Sequence, residues 1–191
     1  MRKKIQALIA SIVPYDNLEN EHIKESVLWI KSGVEIYRIK KPDIPPKHLV
    51  SYFVLVDKQK RKLLLINHIK SGLWLPPGGH VEKDEYPKDT VIREMQEELG
   101  TTAQFIIDTP FFITVTKTVN IEAGHTDVSL WYLLAGDSLQ EFVYDKKEMS
   151  GLRWFAFDEI LQIKSNIFDP HMHRFTKKLL HTSHSAWKLM D

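Results

Sequence analysis

The sequence predicts an α/β protein, an α/β/α sandwich built on a mixed β-sheet, with a helical hairpin ahead of it. Three observations lead there. Stretches rich in β-branched and apolar residues lie on both sides of an early amphipathic helix. Segments with helical periodicity stand at both ends of the chain. The length of 191 residues, with 43% hydrophobic content, suits one ordinary domain plus an appendage and is enough to close a core.

At the start, Ile5, Leu8, Ile9, Ile12 and Val13 fall at helical spacing, which predicts a packed amphipathic helix. Arg2, Lys3 and Lys4 ahead of them give the segment the outline of a secretory signal, but Gln6 and Ser11 interrupt its apolar part. The packed helix is therefore the preferred reading. After a turn at 14–16, Asp16 with Glu19 three residues later forms a capping box, and Gly33 ends a second helix. Ile23, Val27 and Ile30 recur one helical turn apart, so the two helices pair as a hairpin. Pro42, Pro45 and Pro46 make 40–47 a stiff connector, which divides the chain into a hairpin unit, 1–47, and a main domain, 48–191.

From residue 48 the pattern turns to strands, at 48–56 and 62–67, joined by a turn at 57–60. A Gly/Pro loop over 71–79 leads to a short strand at 80–82. Pro87 opens a helix where its missing N–H costs nothing, and Gly100 closes it. Further strands are expected at 103–107, 111–119, 126–135 and 152–157, with helical segments at 158–163 and 170–189.

Charge and composition exclude several functions. With Lys+Arg 26 against Asp+Glu 25 the chain has no broad field for nucleic acid or anionic lipid, so a polyanion must be met locally. Cys 0 removes disulfides, thiolate metal sites and a cysteine nucleophile. No apolar run approaches the roughly 20 residues that cross a bilayer, so no membrane partner is expected and the cytoplasm is the default location.

On the helix 87–99, advancing about 100° per residue, Val91, Ile92, Met95 and Leu99 gather on one side and Glu94, Glu97 and Glu98 on another. Like charges at these spacings destabilise a helix by a few tenths of a kcal/mol per pair. A bound cation would relieve them, and oxygen-only ligands suit a hard ion such as Mg²⁺ or Mn²⁺, which takes further contacts from substrate phosphates. The alternative is a solvated acidic face balanced by lysines.

The surroundings of that helix decide between the two. From Gly79, the run GHVEKDEYPKDTVIREMQEELGT fits G-x5-E-x7-R-E-U-x-E-E-x-G-U, where U is a bulky apolar residue. Gly79, Glu85, Arg93, Glu94, Met95, Glu97, Glu98 and Gly100 stand in place, and only Thr101, at the final apolar position, departs. This resembles the signature box of the Nudix hydrolase family, of the MutT-like bacterial type. Trp74 to Gly78 resembles the family's lead-in to the box. Leu152 to Ile160, with Arg153-Trp154-Phe155 and Asp158-Glu159-Ile160, is similar to its closing strand and short helix.

The resemblance covers about 49–163. It implies the Nudix fold and Mg²⁺- or Mn²⁺-dependent hydrolysis of a phosphoanhydride bond in a nucleotide-like small molecule, a nucleoside triphosphate being preferred. Nucleotide sugars and dinucleotides stay open as substrates. It also implies that Glu94, Glu97 and Glu98 hold the metal, that Glu94 or another nearby carboxylate orients or deprotonates the attacking water, and that Glu85 braces Arg93 and sometimes touches metal through water, the bracing role being preferred. Gly78 and Gly79 would let the backbone turn sharply and approach metal or phosphate. For a further base or ligand, Glu148 is preferred over Glu122, Asp127 and Glu141; its plainer reading is an exposed loop glutamate. Tyr52, Phe112 and Trp131 are candidates for a base-stacking surface, against the plainer reading that they are core. The late histidines His171, His173, His181 and His184 are better explained as surface residues than as a metal site.

Three competing functions carry less. A nucleotide-sensing relative would be expected to lose box glutamates, isopentenyl diphosphate isomerase relies on a cysteine, and RNA decapping asks for a basic track. The hairpin offers a surface for a homodimer or a cover for the active site.

Overall fold

The structure, a computed structural model, describes residues 1–41, 43–118, 124–144 and 146–183. Helices α1 (Arg2–Ala10) and α2 (Asn17–Lys31) form the expected hairpin. Strands β1 (Lys47–Asp57), β2 (Lys62–His68), β3 (Trp74–Leu75) and β4 (Gly78–His80) precede helix α3 (Pro87–Leu99). Then come β5 (Phe112–Lys117), β6 (Thr126–Ala135), β7 (Met149–Ala156), α4 (Phe157–Gln162) and α5 (Met172–Ser183). The sheet order is β3-β2-β1-β6-β5, with β4 paired to β1 and β7 to β2. Parallel pairing of β1 with β6 among antiparallel neighbours makes it the mixed sheet the sequence predicts.

Period-two alternation on β1 sorts the layers. Leu49, Phe53 and Leu55 join one core with α1, α2 and α3, while Val54 and Val56 join a second core beneath α4 and α5. Ile5, Leu8, Ile9, Ile12, Ile23 and Ile30 of the hairpin segment belong to the same apolar cluster as Val91, Met95 and Leu99 of α3. Among the described residues no helix is long and apolar enough to cross a membrane.

Several local expectations are corrected. Residues 103–107 form a single bridge, Phe105 to Leu134, because β5 takes the same edge of β6 from Trp131 onward and the chain must bend between the two. The short strand expected at 80–82 lies instead at Gly78–His80, and Trp74–Leu75 adds a strand inside the expected loop. Ile92 is 47% exposed, since one step beyond buried Val91 carries it about 100° away from the sheet. Position 119 of the strand expected at 111–119, and 184–189 of the last helix, lie outside the described residues.

The capping box at α2 is half formed. The Asp16 carboxylate accepts the Glu19 N–H at 2.8 Å, but Glu19 turns to the Tyr15 N–H at 2.7 Å. Asp16 also receives the guanidinium of Arg174 on α5, through Nε at 2.8 Å and Nη2 at 2.5 Å. That pair holds the Asp16 carboxyl at about 2, below its usual 3.8. A depressed acid stabilises the fold fully above the unfolded pKa and loses that contribution as pH falls through the folded one. Acid unfolding of the native chain should therefore steepen between about pH 4 and pH 2, and Asp16→Asn should flatten that limb in a circular-dichroism pH series. An unchanged acid limb in the variant would contradict it.

Candidate active site

Strand β4 lies antiparallel to β1, with Tyr52 opposite Gly78, Ser51 opposite Gly79 and Val50 opposite His80. Gly78 has φ 146°, and a Cβ there would fall 2.2 Å from the Ser51 carbonyl. Only glycine satisfies both constraints. A Cβ on Gly79 would fall 1.9 Å from Glu94 Oε1, so the absent side chain is the space the Glu94 carboxylate occupies. One turn further along α3, Glu98 Oε2 accepts the Gly78 N–H at 2.9 Å. Glu94 and Glu98 thus reach the two glycines from the same helical face.

Arg93 organises the approach. Its Nε and Nη2 donate to the two oxygens of Glu85 at 3.0 and 3.2 Å, a fork that fixes the loop ahead of α3 to the helix. Nη2 also donates to the His80 carbonyl at 3.2 Å, and Nη1 lies between Glu94, at 2.6 Å, and Glu97, at 3.3 Å. Glu85 further accepts the Thr90 hydroxyl and the Glu82 N–H. Burial works against its charge, yet these donors outweigh burial and hold the carboxyl below its usual value.

Glu98 experiences the opposite balance. It is 6% exposed, and burial, reinforced by the charges of Glu94, Glu148 and Glu97, pushes its carboxyl up to about 9. Burial also raises Glu94, with Glu97 and Glu148 adding to it against the pull of Arg93. Glu148, exposed just before β7, therefore shares the field of the α3 glutamates. A crowd of carboxylates whose charge is costly where they stand, offering only oxygen, fits a hard divalent cation.

The aromatic candidates separate. Tyr52 borders the glycine strand, its Cδ1 3.0 Å from where a Gly78 Cβ would stand. Burial, then the charges of Asp127, Asp169 and Glu98, keep its phenol protonated well above the usual range. Phe112 and Trp131 are fully buried, with Phe175 of α5 packed against both at 5.9 and 5.1 Å between ring centroids. Neither exposes a face, which corrects the stacking expectation for that pair.

Asp127 contacts His48 and His125, Glu141 is exposed between β6 and β7, and Glu122 lies outside the described residues. Among the late histidines, His171 bonds Arg174, His173 packs near Phe168 and His181 near Tyr15, while His184 lies outside the described residues. Sequence reasoning missed a different set, Asp43, His48, His80 and His125, whose ligand atoms lie within 4.8 Å of one another. No local spacing could have signalled it.

Comparison with known proteins bears on this arrangement. Residues 46–179 match the family model of the NUDIX domain. A probable DHNTP pyrophosphohydrolase of Lactococcus lactis subsp. cremoris is 34% identical over 166 residues, 83% of this chain and 90% of that protein. A MutT-like protein of Streptomyces ambofaciens is 43% identical over 56 residues, so that the chain spans 36% of that relative's length. The solved structure of the Escherichia coli dihydroneopterin triphosphate pyrophosphohydrolase superposes with a TM-score of 0.53 at 14% identity, over 75% of this chain and 99% of that one. At that identity the likeness is one of fold.

Proposed function

Because the chain belongs to the Nudix family and is a hydrolase of pyrophosphate bonds, we propose that it cleaves a nucleoside triphosphate, or a close analogue such as dihydroneopterin triphosphate, with Mg²⁺ or Mn²⁺. The observation that carries this reading is the convergence of Glu94 and Glu98 on the backbone of Gly78 and Gly79. The triphosphate is favoured by the likeness to the Lactococcus probable DHNTP pyrophosphohydrolase.

Glu94, Glu97 and Glu98 would hold the cation, which would supply neutralisation of phosphate charge and activation of the attacking water. The missing side chain of Gly79 lets the Glu94 carboxylate lie directly against the glycine strand. Glu85 keeps Arg93, and through it the His80 carbonyl and the end of β4, in register with α3. Glu148, whose charge acts on both Glu94 and Glu98, is the candidate to take a proton from the attacking water or to complete the metal shell. Tyr52 is the one aromatic candidate that borders the reacting region.

A panel of diphosphate compounds tests the reading: dihydroneopterin triphosphate, nucleoside triphosphates, nucleotide sugars and dinucleotides, each with Mg²⁺ or Mn²⁺ and with products resolved. Turnover of a triphosphate that falls about 10²-fold in Glu97→Gln is the expected result. Turnover of only sugars or dinucleotides would move the substrate class. Tight binding without turnover of any compound would mean a nucleotide-sensing module instead.

A further inference from the structure

We propose that Asp43, His48, His80 and His125 form a second metal site, separate from the α3 glutamates and suited to a transition-metal ion such as Zn²⁺. Each residue offers one ligand atom, and the four atoms lie within 4.8 Å of one another. They come from four places in the fold: the connector, the start of β1, the end of β4 and the residue before β6. The ring of His48 stacks on that of His125 at 5.0 Å and tilts against His80 at 4.8 Å between centroids.

The hydrogen bonding around His48 asks for a cation. Its Nδ1 lies 2.9 Å from the Pro45 carbonyl, which can only accept, so Nδ1 carries a proton, and in the neutral ring Nε2 keeps a bare lone pair that a metal can take. That Nε2 faces Asp127 Oδ1 at 3.3 Å, and the same oxygen is 3.2 Å from His125 Nε2. With a neutral His48, acceptor meets acceptor here, at a residue that is 0% exposed. His48 Nε2, His80 Nε2 and Asp127 Oδ1 are all buried without a hydrogen bond to the described residues. Buried lone pairs left in this state are costly, and an ion that takes the imidazole nitrogens, with Asp127 beside it, removes the conflict.

Ligand chemistry separates this site from the other. Three imidazoles and a carboxylate suit Zn²⁺ and its neighbours, whereas an all-oxygen cluster suits Mg²⁺ or Mn²⁺. Its position also gives it a task. The His80 carbonyl receives Arg93, so an ion on the His80 ring ties the connector, β1 and β6 to the strand that carries Gly78 and Gly79.

The test uses the full chain, stripped with chelator and titrated with Zn²⁺ alone or Co²⁺ alone. Calorimetry should give one equivalent bound in the presence of excess Mg²⁺, and Co²⁺ should show the visible absorption of a tetrahedral, nitrogen-rich shell. His48→Gln and His125→Gln should weaken binding at least about tenfold, while Glu97→Gln and Glu98→Gln retain it. Asp43→Asn, a change in the connector, guards against misfolding and should also weaken binding with an unchanged circular-dichroism spectrum. Absence of Zn²⁺ binding would overturn the proposal. So would undiminished binding in His48→Gln and Asp43→Asn, or loss confined to the glutamate variants.

Discussion

Glu98→Gln is expected to remove most of the hydrolysis and, with metal withheld, to make the protein more stable. The two effects have one cause. Glu98 is 6% exposed, with burial and the charges of Glu94, Glu148 and Glu97 pushing its carboxyl from 4.5 up to about 9. The folded state therefore binds a proton that the unfolded state releases across that interval. A raised acid leaves stability intact below the unfolded pKa and erodes it as pH rises toward the folded one, so the metal-free native chain should weaken from about pH 4.5 to about pH 9. At neutral pH the penalty is on the order of 3 kcal/mol. Glutamine keeps an oxygen for the Gly78 N–H and carries no charge, so the slope should become much shallower in the variant. Urea unfolding with chelator at pH 5, 7 and 9 measures it. Excess Mg²⁺ should reverse the order, because a ligand that binds only the folded state stabilises in proportion to its affinity, and the variant has lost a carboxylate. Turnover should drop about 10² to 10³-fold. A variant that unfolds more easily than the native chain in chelator at pH 9 would show that the Glu98 charge is not the burden described.

Much of this site was legible because its parts are local. Pro87 and Gly100 mark the ends of α3, the spacing of Glu94 and Glu98 sets them on one face, and Glu85 is close enough in sequence to meet Arg93. The reason for Gly79 was less visible. Its missing side chain could be read as freedom to turn, and only the folded helix shows that a carboxylate fills the space. Residues brought together by sheet register were not legible at all. His48 meets Asp127 through the parallel pairing of β1 with β6, and His80 joins them through β4, while the late histidines His171 and His173, close together in sequence, have separate neighbours. Phe112 and Trp131 illustrate the same limit. Their strand positions could be predicted, but burial was decided by Phe175, delivered by a helix far along the chain. Likewise 103–107 has strand-forming residues, but it meets β6 only at the bridge from Phe105 to Leu134, beyond the stretch 126–131 that β5 pairs.

Lys178→Met should cost more stability than any surface change in this chain, because it strands a buried charge. Lys178 Nζ donates to Glu19 Oε1 at 2.7 Å and to the carbonyls of Val13 at 2.7 Å and Phe111 at 2.5 Å. The two side chains are 7% and 0% exposed. Burial drives each towards its neutral form, Lys178 downwards and Glu19 upwards, and their mutual attraction pulls back. Removing the ammonium leaves Glu19 without its counter-charge, which costs about 3–5 kcal/mol. For a domain of this size that lowers Tm by about 10 °C. The double variant Lys178→Met/Glu19→Gln strands no charge, so it should recover about 1–2 kcal/mol of the loss. Recovery stays incomplete, since the Val13 and Phe111 carbonyls still lack their donor. The pair joins α5 to the α1–α2 hairpin, so the single variant should also become sensitive to protease at the turn around residues 13–16 before the main domain is cut. Calorimetry on the four proteins of the cycle, with limited proteolysis alongside, reads both consequences. A single variant that melts with the native chain, or a double variant that melts below both singles, would mean that the hairpin is held by its apolar stripe and not by this clamp.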